Sequence, residues 1–252
     1  MMPIYARIRK RARQIVSRFP TPDFYQDFSG EIELARHYFE ADPVITRLKS
    51  FVAANIEDDY GHGMKHSIKV ALDGGALVLI EATLKKYSEK ITRRKVCIVQ
   101  CAGLLHDIKR KRKDHSMHGA IFARKLLQTY PISPDEINDI CNAIHNHEAF
   151  KKNHAIKSTV GHLISDCLYD ADKFRWGPDN FMDTVWDMVL FYNPPLSTFL
   201  DRYPKGMDGL SKIKTTFRTK TGKKYGPQFI DIGLAIGEEL LEVIKNDFAH
   251  LL

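Results

Sequence analysis

The segment from Val96 to Leu105 is almost wholly apolar, yet the ionisable residues His106 and Asp107 follow it directly. An apolar run of this length predicts a buried helix, so the two ionisable side chains stand at the tip of a buried element. Burying such groups costs free energy unless something compensates it. A metal ion would do so, because imidazole nitrogen and carboxylate oxygen both bind divalent metals. The basic residues 109–113 that come next suit an anionic substrate.

Helical periodicity runs through most of the chain, and alternating strand patterns are nearly absent. Asp42-Pro43 predicts an N-cap followed by proline at the first helical position, opening a helix that reaches about Asn55. Ser133 and Glu136 form a capping-box pattern with proline between them. We therefore expect an all-α fold.

Apolar spacing predicts the remaining helices and two breaks. Thr92 is the predicted cap of the helix that carries His106. Proline marks chain breaks at 193–195 and at Tyr203-Pro204, and residues 215–225, with a Thr221-Gly222 turn, suit a small hairpin. The other helices are predicted over residues 4–18, 31–39, 64–87, 117–129, 133–147, 156–176, 181–192 and 228–248.

Charge and cysteine content favour a cytoplasmic protein that is not inserted in a membrane. The net charge is +7, and basic residues concentrate at 7–18 and 212–224. Such stretches attract phosphate or nucleic acid, although most are solvated helix faces. The chain lacks an apolar stretch long enough for a spanning helix. The four cysteines lie in apolar, helix-like surroundings, which indicates free thiols in a reducing compartment.

Five histidine- and aspartate-bearing motifs follow one another in a set order between residues 55 and 190. They are His62-x-x-x-His66, Leu-Leu-His106-Asp107-Ile, His115-Ser-Met-His-Gly-Ala, Ala-Ile-x-x-His147-Glu and Ala-Asp172-Lys173. Together they resemble the HD-domain superfamily of metal-dependent phosphohydrolases. The resemblance implies a helical HD-type core over residues 51–192, with helical extensions over 1–50 and 193–252.

The resemblance implies that four residues are ligands of one divalent ion (Mn, Fe, Co, Ni, Zn or Mg): His66, His106, Asp107 and Asp172. Asp170 competes with Asp172 for the fourth position. Two residues apart on a helix, the two carboxylates point about 200° away from each other. The Ala-Asp-Lys context favours Asp172. If a second ion is held, His115 and His147 best fit its ligand positions, with His118 and His145 as near neighbours that could take their place.

Several further residues are candidates for catalysis or substrate binding. Asp107, His115, His147 and Lys109 are the catalytic candidates, because a histidine that is not a ligand is able to protonate the leaving oxygen. For substrate phosphate the candidates are His62, Lys109, Arg110 and Lys173, of which Lys173 alternatively stabilises the carboxylate of Asp172.

The function implied by the resemblance is hydrolysis of a phosphomonoester or a nucleotide by a metal-bound hydroxide. The partner would then be a small phosphorylated molecule, and the oligomeric state is left open. Two alternatives remain: a di-iron oxygenase that uses the additional histidines, and a non-catalytic module that binds nucleic acid through the basic stretches.

Overall fold

The computed structural model describes residues 3–56 and 63–248, and every regular element in these ranges is helical. The predicted all-α fold is confirmed. A single π-helical turn, Asn180–Thr184, leads directly into the tenth helix. The helices are α1 Ile4–Val16, α2 Asp23–Asp27, α3 Ser29–Ala41, α4 Pro43–Asn55, α5 Met64–Leu84, α6 Glu89–Leu105, α7 His115–Leu127, α8 Pro134–His145, α9 Thr159–Phe174, α10 Val185–Tyr192, α11 Leu196–Ile213 and α12 Lys220–Asp247.

Two predicted helix starts are confirmed in atomic detail. The carboxylate of Asp42 accepts hydrogen bonds from the backbone N–H groups of Val44 and Ile45. At α8, the Ser133 hydroxyl accepts from the Glu136 N–H while the Glu136 carboxylate accepts from the Ser133 N–H. Both starts depend on residues within one turn of the cap, which is why local sequence is enough to predict them.

The start of α6 differs from the prediction. The helix begins at Glu89 after Ser88, one turn before the expected cap Thr92. The Thr92 hydroxyl instead donates to the carbonyl of Ser88 at 3.0 Å, as threonines inside helices often do.

The predicted break at Tyr203-Pro204 and the predicted hairpin at residues 215–225 are wrong, because helices run through or into both places. Pro204 lies within α11, whose buried side includes Phe199, Tyr203 and Leu210. Residues 215–225 do not form a hairpin, since α12 begins at Lys220 and continues through Pro227. The free energy gained by burying the apolar stripe of each helix outweighs the loss of the backbone hydrogen bond that proline cannot donate.

The helices around α5 and α6 bring the ends of several elements together. A Cβ atom at Gly103 of α6 would lie 2.7 Å from the Cα atom of Ala71 in α5, so only glycine permits this approach. Helix α9 packs against α5, α6 and α8, and α7 packs against α8. As a result the start of α5, the end of α6, the start of α7 and the end of α9 are neighbours.

The first helix packs against the last one. Tyr5, Ile8, Ala12 and Ile15 are the buried face of α1, which contacts α12, α10 and the π-helical turn. The apolar stripe of the basic N-terminal helix therefore packs on its own protein. The division at residues 50 and 192 stays a prediction.

Candidate metal centre

Six of the residues predicted from sequence form one buried cluster. Helix ends supply almost all of them: α5 begins near His66, α6 ends just before His106 and Asp107, α7 begins at His115, and His147 follows α8. Asp172 lies in the last turn of α9. All are at most 9% exposed: His66, His106, Asp107, His115, His147 and Asp172.

The first group of the cluster joins His66, His106 and Asp172. The Nε2 atoms of His66 and His106 are 3.2 Å apart. Oδ1 of Asp172 lies 3.3 Å from Nε2 of His66 and 3.8 Å from Nε2 of His106. Oδ2 of Asp107 lies 3.3 Å from Nε2 of His106. Two nitrogens and two carboxylate oxygens thus converge on one point.

The second group joins His115 and His147 to the other oxygen of Asp107. Their Nε2 atoms are 3.2 Å apart, and they lie 3.4 Å and 3.5 Å from Oδ1 of Asp107. Asp107 therefore stands between two donor groups, with one carboxylate oxygen toward each. Each trio, His66–His106–Asp107 and Asp107–His115–His147, has the proximity that a metal ion requires.

Backbone carbonyls determine which ring nitrogen faces the cluster at two histidines. Nδ1 of His106 donates to the carbonyl of Gly103 at 2.8 Å, and Nδ1 of His147 donates to the carbonyl of Ile144 at 2.6 Å. Because Nδ1 holds the proton in each neutral ring, Nε2 presents its lone pair to the cluster. Hydrogen bonds of this kind orient metal-ligating histidines in proteins.

The donor set fits a divalent ion. A metal–nitrogen bond of 2.0–2.1 Å places adjacent ligand atoms about 3 Å apart, which agrees with the spacing of His66 and His106. Imidazole with carboxylate suits first-row divalent metals more than calcium. The His66–His106–Asp107–Asp172 group would hold such an ion, and its carboxylates would balance the charge.

Burial and charge move the pKa values of the three histidines in different directions. Burial lowers the pKa of His66. Burial would also lower that of His106, but the carboxylates of Asp107 and Asp172 outweigh it and raise the pKa. Burial, assisted by the nearby Arg110, lowers the pKa of His115 to about 4. His115 is therefore neutral at pH 7, which suits a ligand better than a general acid.

Glu148 supports the second group, a role that the sequence motif did not assign to it. Its Oε1 accepts a hydrogen bond from the Ser116 hydroxyl at 2.5 Å and lies 3.8 Å from Nδ1 of His115. Burial raises the Glu148 pKa, but Ser116, Lys151 and His115 outweigh it and lower the pKa to about 2. A carboxylate next to Nδ1 is the signal that could have identified it, because metal-binding histidines commonly have one.

Asp170 and Asp172 contact different parts of the protein, as their angular separation on the helix predicts. Asp172 faces His66, and its carboxylate accepts a hydrogen bond from the buried ammonium of Lys173. Asp170 instead accepts from the backbone N–H of Arg218 and Thr219 and from the Thr219 hydroxyl, at 2.8, 2.8 and 2.7 Å. Burial raises the pKa of Asp172, but Lys173 and the histidines outweigh it and lower the pKa well below its usual value.

The remaining candidate residues differ in whether they contact the cluster. Arg110 donates to Nε2 of His115 at 2.9 Å, so it belongs to the cluster. The ammonium of Lys109 lies 4.3 Å from the ring centroid of Phe122, and no hydrogen bond or ion pair with another described residue brings it into the cluster. Lys173 contacts Asp172 rather than open space. The ring of His145 stacks on that of His154. His62 lies outside the described residues.

A cavity of about 390 Å³ adjoins the cluster. The π-helical turn, α10 and α11 form most of its wall. Of these, α11 lies beyond residue 192, so residues outside the predicted core contribute to the cavity. The side chains of Asn180 and Thr184 line it without a hydrogen bond to any other described residue. Four aromatic residues and two residues of the cluster complete the lining. They are Trp176, Phe181, Phe199 and Tyr203, with His66 and Arg110.

Comparison with known proteins identifies this part of the chain. The family model of the HD domain matches residues 63–176. This match, which covers less than half of the chain, is consistent with the resemblance to the HD-domain superfamily that the motifs indicated. Neither the curated proteins nor the solved structures give a significant match. No helix of residues 3–56 and 63–248 has the length and apolar character that crossing a membrane requires.

Proposed function

We propose that the chain is a metal-dependent phosphohydrolase that cleaves a phosphomonoester, with a divalent ion held by His66, His106, Asp107 and Asp172. The observation that carries the proposal is the convergence of two Nε2 atoms and two carboxylates on one buried point, with the ring orientation of His106 set by a backbone carbonyl. Histidines that serve only in packing have no need of such an arrangement.

Different residues of the site would bind the phosphate, keep a ligand ionised and exclude water. A divalent ion, when bound, lowers the pKa of water and polarises a phosphoryl oxygen. His66 and Arg110 both line the adjoining cavity, so the phosphate lies between them at its inner end. Lys173 keeps Asp172 ionised, which keeps that carboxylate available as a ligand. Burial of the cluster excludes bulk water, which strengthens each of these interactions.

The cavity favours a phosphomonoester whose organic group is flat or apolar. Its aromatic wall of Trp176, Phe181, Phe199 and Tyr203 offers stacking surfaces, and its volume is within the range of small-molecule sites. Asn180 and Thr184 are free to bind polar atoms of a ring. A nucleoside monophosphate has all of these properties, as do other aryl phosphates.

A di-iron oxygenase remains the second candidate, because the trio Asp107, His115 and His147 provides donors for another ion. Arg110 argues against it, since a guanidinium already contacts this trio. Oxygen uptake that depends on two bound irons would support the oxygenase, and ester hydrolysis without oxygen uptake would exclude it.

Metal analysis combined with a phosphatase screen tests the main proposal. The purified protein is stripped of metal, reloaded with each divalent ion and assayed on aryl phosphates, nucleoside monophosphates and sugar phosphates. Asp107→Ala should lose both metal and turnover while circular dichroism shows retained helices. Asp114→Ala, in the same turn but exposed, serves as the matched control and should keep both. Full activity in the Asp107→Ala protein would overturn the proposal.

A further inference from the structure

We propose that the guanidinium of Arg110 takes the place of a second divalent ion in the trio Asp107, His115 and His147, so that the resting centre holds one metal ion and one arginine. The inference rests on the proposed function only in assigning the first ion to the His66 group. It concerns how many ions this chain binds and which residue decides the number.

The distances place Arg110 inside the trio. Its Nη1 atom lies 2.9 Å from Nε2 of His115 and 3.7 Å from Oδ1 of Asp107. Nε2 of His147 is 3.2 Å from the same His115 atom and 3.5 Å from the same carboxylate oxygen. One end of the guanidinium therefore lies against two of the three donors, each of which is within 3.5 Å of the third.

The trio requires a cation. Nε2 of His147 presents a lone pair, because its Nδ1 donates to the carbonyl of Ile144. Nε2 of His115 also presents a lone pair, because a guanidinium has only donors and the histidine must accept from it. Two lone pairs and a carboxylate oxygen within about 3.5 Å of each other repel unless a positive group lies among them. Arginine supplies that charge at every accessible pH.

A metal ion and the guanidinium cannot both use this trio. An ion would need the same lone pair of His115 that now accepts from Arg110, at a distance of 2.0–2.1 Å. The two cations would also repel each other at close range. Because 33% of the Arg110 side chain is exposed, it is able to withdraw toward solvent. The result is competition, in which Arg110 weakens the second ion rather than blocking it completely.

The turn between α6 and α7 explains why residue 110 is the one that competes. The N–H of Arg110 donates to the carbonyl of Asp107 at 2.9 Å, which folds the chain back onto the carboxylate. Lys109 lies over the ring of Phe122, and Arg112 and Lys113 are exposed. Among these four cations, the turn directs that of Arg110 into the metal centre.

Titration of the metal-free protein with Mn²⁺ tests the proposal without any substrate. The wild type should bind one ion tightly and a second at least about tenfold more weakly. Arg110→Gln should strengthen the second ion by at least that factor. Electron paramagnetic resonance should then change from the spectrum of isolated Mn²⁺ to that of a coupled pair, because Asp107 would bridge the ions. Arg112→Gln removes the same charge from the exposed part of the run and should behave as the wild type.

Two outcomes would overturn the proposal: two equally tight ions in the wild type, or no gain in Arg110→Gln. Adding His147→Ala to Arg110→Gln should remove the gained ion, and its retention would place that ion elsewhere and contradict us. If Arg110→Gln fails to fold, Arg110→Lys, which keeps the charge but loses the fork, should bind the second ion more tightly than the wild type. A protein whose ion count depends on Arg110 but that hydrolyses no ester would contradict only the proposed function.

Discussion

Asp170 and Asp172 lie two positions apart on one helix, yet their carboxylates contact different parts of the protein. Asp172 faces the histidines, whereas Asp170 holds the backbone before α12. The angular separation of the two side chains was predictable from helix geometry, whereas the preference for Asp172 came from its Ala-Asp-Lys context. The partner of Asp170 was not, because Thr219 lies 49 residues away and local sequence carries no trace of the contact.

The candidate ligand residues were predictable because their motifs are local, but the orientation of their side chains was not. The sequence identified His106, His115 and His147. It did not reveal that Gly103 and Ile144 orient two of the rings, or that Glu148 stands behind the third. It also grouped Lys109 with Arg110, whereas only the turn geometry separates a cation at the cluster from one that packs on an aromatic ring.

Lys173→Met should destabilise the metal-free protein by about 3 kcal/mol, because it leaves the buried carboxylate of Asp172 without its cation. Lys173 lowers the Asp172 pKa, so its removal raises that pKa. Metal binding should accordingly weaken at a higher pH than in the wild type as the solution is acidified. Urea unfolding and Mn²⁺ titration between pH 5 and 8 measure both effects. Lys152→Met, at an exposed position, is the control; unchanged stability in Lys173→Met would contradict the assigned role.

At the scale of elements, the start of α12 combines a local cap with a contact from another helix. The Thr219 hydroxyl accepts from the N–H of Gly222 at 2.7 Å, and Glu81 of α5 accepts from the N–H of Thr221 at 2.9 Å. Taken by itself, the Thr221-Gly222 pair predicts a turn. In the folded chain the N–H of Thr221 donates to a carboxylate of α5 and that of Gly222 to the Thr219 hydroxyl, which favours the helix.

Asp170→Ala should destabilise the protein by about 2–3 kcal/mol, because the N–H groups of Arg218 and Thr219 lose a charged acceptor. Metal stoichiometry should stay unchanged, since Asp172 remains in place. Chemical denaturation and metal analysis of the same sample measure the two effects, with Asp166→Ala on the same helix as control. Loss of the bound ion from a folded Asp170→Ala protein would bring Asp170 back as a ligand.

The cap of α8 should make stability depend on pH in the acid range. Hydrogen bonds from Arg94, together with those at Ser133, lower the pKa of Glu136 to about 2. A carboxyl whose pKa is lower in the folded state stabilises above its unfolded value, near 4.5, and this contribution is lost as the pH falls toward 2. Glu136→Gln should therefore be less stable than the wild type by about 1 kcal/mol at pH 6, a figure reduced for solvent screening. The difference in urea midpoint should close below pH 3, and a constant difference would contradict this cause.

At the scale of the whole molecule, basic side chains of the N-terminal helix form ion pairs with other elements of the same protein. Arg9 and Arg13 bind Asp183 of the π-helical turn, and Arg9 also binds Asp187 of α10. Arg11 and Arg18 pair with Asp247 and Glu239 of α12. Cations engaged in this way offer little to nucleic acid, which weighs against the binding-module hypothesis.

Asp183→Asn should loosen α1 from the rest of the protein, because Arg9, Arg13 and Lys65 all converge on this carboxylate. We expect a loss of about 1–2 kcal/mol and faster amide hydrogen exchange over residues 4–16. Asp201→Asn, exposed and without an ion pair to the described residues, is the control. Equal exchange in both variants would show that apolar packing alone holds α1.

The bond between Asp170 and Thr219 also orders events during synthesis of the chain. Helix α9 ends at Phe174, whereas the backbone groups that satisfy Asp170 belong to residues translated some 49 positions later. Until those residues leave the ribosome, the carboxylate of Asp170 lacks the N–H and hydroxyl groups that donate to it in the folded protein. The packing around the C-terminal half of α9 is therefore complete only after residues 218 and 219 have been translated.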